Sequence, residues 1–173
     1  VSKVLLAVDL TREVMNDAKA GGFEMVVTHH PFLLKGVYDI REDSGKGAVL
    51  AESIRSGIAL FGAHTNADVV EDGISSVLAR ELGLTRSAPL VPTISEVIGH
   101  GRIGDLPESV SLLDFSRQIA RALPATAGGV RVAGDASMPV RRVALCGGAG
   151  DSFISAALAS GADVYITSDL RHH

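Results

Sequence analysis

Imidazole is the side chain in this sequence whose number and placement could do chemistry. Histidines stand at positions 29, 30, 64, 100, 172 and 173. All but His100 directly follow a segment that reads as a β-strand, or lie in a turn that such a strand feeds. Neutral imidazole is a common metal ligand and exchanges protons near neutral pH. His29 and His30 occur in the string THHP. An extended backbone sends consecutive side chains to opposite sides, so the pair is expected to serve two metal ions, one each, rather than one ion jointly. Pro31 has no amide hydrogen and a fixed φ, which stiffens the exit from the strand and holds His30 in place. A second cluster, GAHTNADV, runs from 62 to 69. There His64, Thr65, Asn66 and Asp68 offer nitrogen and oxygen donors in one short stretch, and Asp68 is the carboxylate best suited to bridge or cap a divalent ion. Asn66 and Asp68 can equally form Asx turns or cap the helix that follows.

Two further segments invite a reading. GGAGDS at 147–152 runs from strand to helix. A helix N-terminus can receive a phosphate, but the string has neither the P-loop ending nor the dinucleotide spacing, and a tight turn is the simpler expectation. The terminal TSDLRHH supplies Asp169, Arg171, His172 and His173, and its last two residues read equally as native sequence or as the start of a purification tag. Cys146, inside a buried strand, reads as a small core residue.

The elements that must position these groups follow from periodicity. Residues 3–9 (KVLLAVD) and 24–28 (EMVVT) read as strands around a helix that Thr11 caps and Gly21-Gly22 ends. Strand, helix and strand with short joints make a parallel βαβ unit. Val49, Leu50, Ser53 and Ile54 share one helical face ahead of a buried strand at 58–63, and Ile74, Val77, Leu78 and Leu82 recur at helical spacing. APLVPTIS at 88–95 has no periodicity and reads as the joint between two lobes, 1–90 and 91–173. Beyond it come a Gly-interrupted strand, a helix from about Ser111 with Leu112, Phe115, Ile119 and Leu123 on one face, strands at 130–134 and 141–148, an Ala-rich helix, and a strand at 164–167.

Segments 1–30 and 140–169 align without a gap at a constant offset of 139 residues, pairing Val4 with Val143, Leu6 with Leu145, Ala18 with Ala157, Gly22 with Gly161 and Thr28 with Thr167. The offset also pairs His29-His30 with Ser168-Asp169. Both pairs fall at the carboxyl end of a parallel strand, where open α/β sheets bind ligands. The expected fold is therefore α/β: two similar βαβ-based lobes with mainly parallel strands and a metal cleft between them at the strand ends.

Composition limits the function. The chain has 173 residues, a net charge of −4, 19 glycines, one cysteine and no tryptophan. One cysteine excludes a disulfide framework and a thiolate zinc site, and fits a reducing, cytoplasmic setting. Mild acidity argues against nucleic acid as a primary partner, and no apolar run approaches the roughly 20 residues that span a bilayer.

Taken together, VTHHPFLLKGV, AHTNADVVEDGISSVLARELGL, GHGRIGDL and CGGAGDS with GADVYITSDLRHH resemble the NIF-three-like dinuclear metal proteins, known as GTP cyclohydrolase I type 2 homologues. The resemblance spans the chain in order. It implies two divalent ions, zinc, iron, manganese or cobalt, with His29, His30 and Asp68 as ligands and His64 as a cavity residue that orients substrate or shuttles a proton. Family members add a HxxxE element near the carboxyl terminus and a DNxGL-type segment ahead of the first strand, and this sequence has neither. Toroidal hexamers are common among similar proteins. The implied activity is a metal-dependent hydrolase attacking the purine ring of GTP; Asn66, Gly148, Asp169 and His172 are the candidate substrate contacts. A non-catalytic metal-binding scaffold and a two-metal nucleotide phosphoesterase are the alternatives.

Overall fold

A computed structural model describes residues 1–170. The chain forms two compact units that divide between Ala67 and Asp68, upstream of the boundary expected at 90/91. The reason is the helix that follows Gly73. It packs on the strands of the second unit, and residues 85–88 pair with one of those strands, so 68–90 folds with what comes after it.

The first unit contains β1 (Val4–Ala7), α1 (Arg12–Ala20), β2 (Met25–Thr28), α2 (Gly45–Ser56) and β3 (Ala59–Gly62). Its three strands form one parallel sheet in the order β1-β2-β3. Thr11 caps α1 as expected, its hydroxyl accepting from the Val14 amide at 3.2 Å. Gly22, just past the helix, takes φ 63°, a conformation that costs glycine little. The register aligns Leu5, Val26 and Leu60 on one face, where they meet Met15, Ala18, Val49 and Ile58 in the core. Strand alternation and helical period thus converge on a single cluster. A one-turn helix, α3 (Thr65–Asp68), closes the sequence of the first unit and opens that of the second.

The second unit comprises α4 (Ile74–Glu81), β4 (Thr85–Ala88), β5 (Val91–Pro92), β6 (Gly99–His100), β7 (Arg102–Ser111), α5 (Leu112–Ala122), β8 (Pro139–Ala149), a 3-10 turn at Asp151–Phe153, α6 (Ile154–Ala159) and β9 (Val164–Asp169). Its main sheet has the order β4-β7-β8-β9. The β8-β9 pair is parallel and the other two are antiparallel, while β5, within the 88–95 stretch expected to be a featureless joint, pairs antiparallel with β6 in the Gly-interrupted segment beyond it. Phe115, Leu82, Leu145, Val140 and Val143 are fully buried at its core. The Leu112, Phe115 and Ile119 face of α5 is buried as its spacing predicts.

Two further expectations fail. Residues 130–134 form no strand. β8 already pairs with β7 on one side and β9 on the other, so a β-branched run between glycines has no edge there to join. In α4 the buried residues are Ser75, Ser76 and Ala79, whereas Ile74 and Val77 are exposed. The small serines let α4 approach the sheet, and their hydroxyls accept from the Gly147 amide at 3.2 Å and from Arg102 Nε at 2.7 Å.

The internal repeat extends to individual bonds. Val4 lies beside Met25 in the first unit, and their counterparts Val143 and Val164 lie side by side in the second. Glu24 N donates to Lys3 O at 3.0 Å, and Asp163 N donates to Arg142 O at 2.8 Å. Thr28 Oγ1 donates to His30 O at 2.8 Å, and Thr167 Oγ1 reaches Asp169 O at 3.1 Å. Every partner in one copy is displaced by 139 residues from its equivalent in the other.

Candidate functional site

The carboxyl ends of the first sheet gather three imidazoles. Paired rows run Ala7, Thr28, Gly62 across the sheet. Ladder bonds continue past them, from His29 N to Ala7 O at 3.2 Å, from His30 N to Val8 O at 3.0 Å and from Ala63 N to Thr28 O at 2.7 Å. Two residues beyond the last pairs, the same row reads Asp9, His30, His64. Parallel strands in register thus put the ends of three separate segments side by side.

The ring centroids are 5.1 Å apart for His29 and His30, 5.0 Å for His29 and His64, and 5.9 Å for His30 and His64. One nitrogen from each ring lies within 4.8 Å of the others. Two nitrogens on one tetrahedral zinc ion, with Zn–N bonds of about 2.0–2.1 Å, stand about 3.3–3.4 Å apart, so the three rings must close in by side-chain rotation to share one ion. His29 is half-buried and the other two are exposed.

The pair does not diverge as strand alternation implied. β2 ends at Thr28 and the chain bends over residues 29 and 30. The bend is closed by the buried Thr28 hydroxyl on the His30 carbonyl, which frees both imidazoles to lean the same way. His64, expected to line the site without ligating, joins the candidate ligand set. A residue that the sequence reading missed also enters, because Asp9 Oδ1 lies 2.8 Å from His30 Nδ1. The available signal was its place two residues past Ala7, the end of β1.

The remaining candidates lie elsewhere along the chain. Asn66 is in α3 and Asp68 is its last residue, at the start of the second unit. The negative charge of Asp68 helps raise the pKa of the Cys146 thiol, an effect second to burial, so Cys146 behaves as the core residue expected. Gly148 and Asp169 are brought together by Thr167, whose hydroxyl is 2.9 Å from Gly148 O and 3.1 Å from Asp169 O and accepts from Gly150 N at 2.9 Å. The Gly147 amide is engaged by Ser75 of α4 and the Gly150 amide by Thr167 of β9, which favours the tight-turn reading of GGAGDS over a phosphate cradle. His100 stacks on Phe153 at 5.1 Å. His172 lies outside the described residues.

Among the described residues, no helix is long and apolar enough to cross a membrane. A relative from Streptomyces coelicolor, named GTP cyclohydrolase 1 type 2 homolog, is 43% identical over 176 residues, which cover 100% of this chain and 62% of that protein. One of the same name from Clostridium perfringens is 34% identical, covering 100% of this chain and 66% of its own length. This chain therefore spans somewhat less than two thirds of those relatives. Among solved structures, a Staphylococcus aureus hypothetical protein superposes with a TM-score of 0.83 at 27% identity, over 100% of this chain and 69% of its own. A Bacillus cereus protein related to NIF3 gives 0.87 at 24% identity, over 100% and 74%, a likeness of fold. The model of the Duf34/NIF3 (NGG1p interacting factor 3) family matches residues 1–173, and the chain belongs to that family.

Proposed function

We propose that the strand ends of the first unit are the core of a divalent-metal centre, and that the protein to which this chain belongs is a hydrolase of a small molecule, with GTP the substrate suggested by its relatives' names. The observation that carries the reading is the convergence of three imidazole nitrogens within 4.8 Å. The donor set fits a borderline metal such as zinc, iron or cobalt, for which imidazole is a preferred ligand.

A divalent ion would supply Lewis acidity and a water acidified toward neutral pH. The chain's own residues then divide the work. His29 and His30 hold the cation from one strand end and His64 from the next. With one ring nitrogen engaged, the other nitrogen of His64 can exchange a proton with substrate or solvent. Asp68, from the HTNAD segment, is proposed as a further ligand on the strength of the family resemblance. Asn66, Gly148 and Asp169 are proposed as substrate contacts, the last two being already neighbours through Thr167.

The test uses the full-length, metal-loaded protein with GTP, following formate and phosphate together. Formate release supports purine ring opening. Phosphate alone supports phosphoester hydrolysis, and neither product leaves a metal-binding scaffold. Metal stoichiometry tests the centre separately: His30→Ala and Asp68→Ala are each expected to lower it, and unchanged values in both would refute the assignment.

A further inference from the structure

We infer that Asp9 is the positioning residue of His30: its carboxylate accepts the Nδ1 hydrogen, which fixes the tautomer and aims Nε2 at the cation. The inference rests on the metal-centre reading and adds to it a residue that touches no ligand.

An ionised carboxylate can only accept, so the 2.8 Å contact between Asp9 Oδ1 and His30 Nδ1 puts the ring hydrogen on Nδ1. Nε2 then carries the free lone pair. Metal-bound histidines commonly use one nitrogen for the metal and donate the other to a carboxylate. Both side chains are largely exposed, His30 at 50% and Asp9 at 63%. An exposed ion pair contributes little to stability, so what the contact supplies is orientation.

The backbone fixes both partners before the side chains meet. Asp9 lies between Val8, whose carbonyl accepts from the His30 amide, and Leu10, which is buried. Thr11, the cap of α1, follows. His30 is held by that same amide bond and by Thr28. Asp9 and His30 therefore lie side by side just past the ends of β1 and β2.

The repeat supplies an independent comparison. At an offset of 139 the counterpart of Asp9 is Gly148 and that of His30 is Asp169. The threonine tether is present in both copies, so it belongs to the fold. The carboxylate and the imidazole it orients occur together in one copy, and neither occurs at its place in the other.

The experiment has two readouts on the full-length protein. Long-range 1H–15N NMR of the metal-free protein reports the His30 tautomer, and Co2+ titration followed by visible absorption reports affinity. Asp9→Ala is expected to lose the Nδ1–H tautomer and to weaken Co2+ binding about 10- to 100-fold, with the circular dichroism spectrum unchanged. Asp9→Asn, whose amide oxygen still accepts from Nδ1, is expected to keep the tautomer and most of the affinity. The inference is overturned if Asp9→Ala changes neither readout, or if Asp9→Asn loses as much affinity as Asp9→Ala, which would make the carboxylate itself a ligand. His30→Ala separates this from failure of the parent reading. Unchanged Co2+ binding in that variant overturns the metal centre, whereas lost binding there beside an unaffected Asp9→Ala overturns only the positioning role.

Discussion

Arg102→Met tests whether a buried cation organises the second unit. Arg102 is 3% exposed, and burial lowers the pKa of its guanidinium. No carboxylate bonds to it among the described residues. Its partners are Ser76 Oγ at 2.7 Å from Nε, the carbonyls of Val70 and Glu71 at 3.0 and 3.2 Å from Nη2, and Gly101 O at 3.2 Å from Nη1, with longer contacts to Gly99 and Val97. The side chain thus ties the segment after α3 to the N-terminus of α4 and to the β6-β7 junction. Methionine fills similar volume but satisfies none of these acceptors. Each buried acceptor left unpaired costs about 1–3 kcal/mol, and several lose their partner together. Relief of the guanidinium's own desolvation, several kcal/mol for a buried ion, offsets part of the loss. A net destabilisation of about 2–4 kcal/mol follows. The assay is urea unfolding by far-UV circular dichroism with the m-value held as a control, since a changed slope would signal a different denatured or native state. Arg102→Lys, a point charge without the planar fork, is expected to recover less than half of the loss. If Arg102→Met unfolds within 1 kcal/mol of the parent, taking ordinary measurement scatter as the yardstick, the hydrogen bonds only repay desolvation and the organising role is refuted.

Three other perturbations have directions set by the structure. Alanine is normally about 1 kcal/mol better than glycine inside a helix, yet a Cβ at Gly47 would stand 1.9 Å from Arg41 O and 2.6 Å from Ser44 Oγ. Gly47→Ala is therefore expected to destabilise by about 1–3 kcal/mol in a denaturant titration, and a stabilising result would contradict the packing of the loop on α2. Thr28→Val keeps shape but removes the bond to the His30 carbonyl; it should cost about 1 kcal/mol and broaden the His29 and His30 NMR signals, whereas Thr28→Ser should preserve the bond. Burial raises the Cys146 thiol and, as its largest cause, also raises the Tyr165 phenol. Groups raised on folding stabilise fully below their unfolded values, so stability should fall as pH rises past about 8.5 and again past about 10, and a flat alkaline profile to pH 10.5 would refute the shifts.

Much of the fold was legible because local signals agreed. The Thr11 cap, the glycines after α1 and the apolar face of α5 each rest on a short-range rule, and each is present. What stayed hidden depends on partners distant in sequence. Ser75 and Ser76 look like the solvent side of α4 until the Gly147 amide and Arg102 are seen to use their hydroxyls. The 130–134 run has strand composition, but only the sheet order shows that β8 has no free edge for it. At the candidate site, position after a strand identified His29, His30 and His64, whereas alternation misjudged the direction of the first two because the strand stops at Thr28. Asp9 was invisible for a related reason. Read as the last residue of a strand over 3–9, it shows no partner until the structure places it beside His30.

The two copies of the βαβ unit separate what the fold requires from what the candidate site adds. Both copies keep the strand register, the glycine after the helix, an acidic side chain that accepts from an equivalent amide, that of Ser2 or Arg141, and a threonine hydroxyl that meets the carbonyl two residues on. None of these bonds uses an imidazole. The threonine contact therefore forms whichever side chain follows it, and the strand end is a shared platform, although the chain bends after Thr28 and stays extended through Asp169. The first copy places two histidines and an aspartate on that platform. The second places Ser168, Asp169 and Gly148, and ties Gly148 and Asp169 through Thr167. A glycine at 148 also adopts φ 71°, a conformation less favourable to the aspartate found at the equivalent position 9, so an aspartate there would strain the turn. The second copy thus differs from the first in backbone geometry at the place of Asp9 as well as in residue type along the strand end.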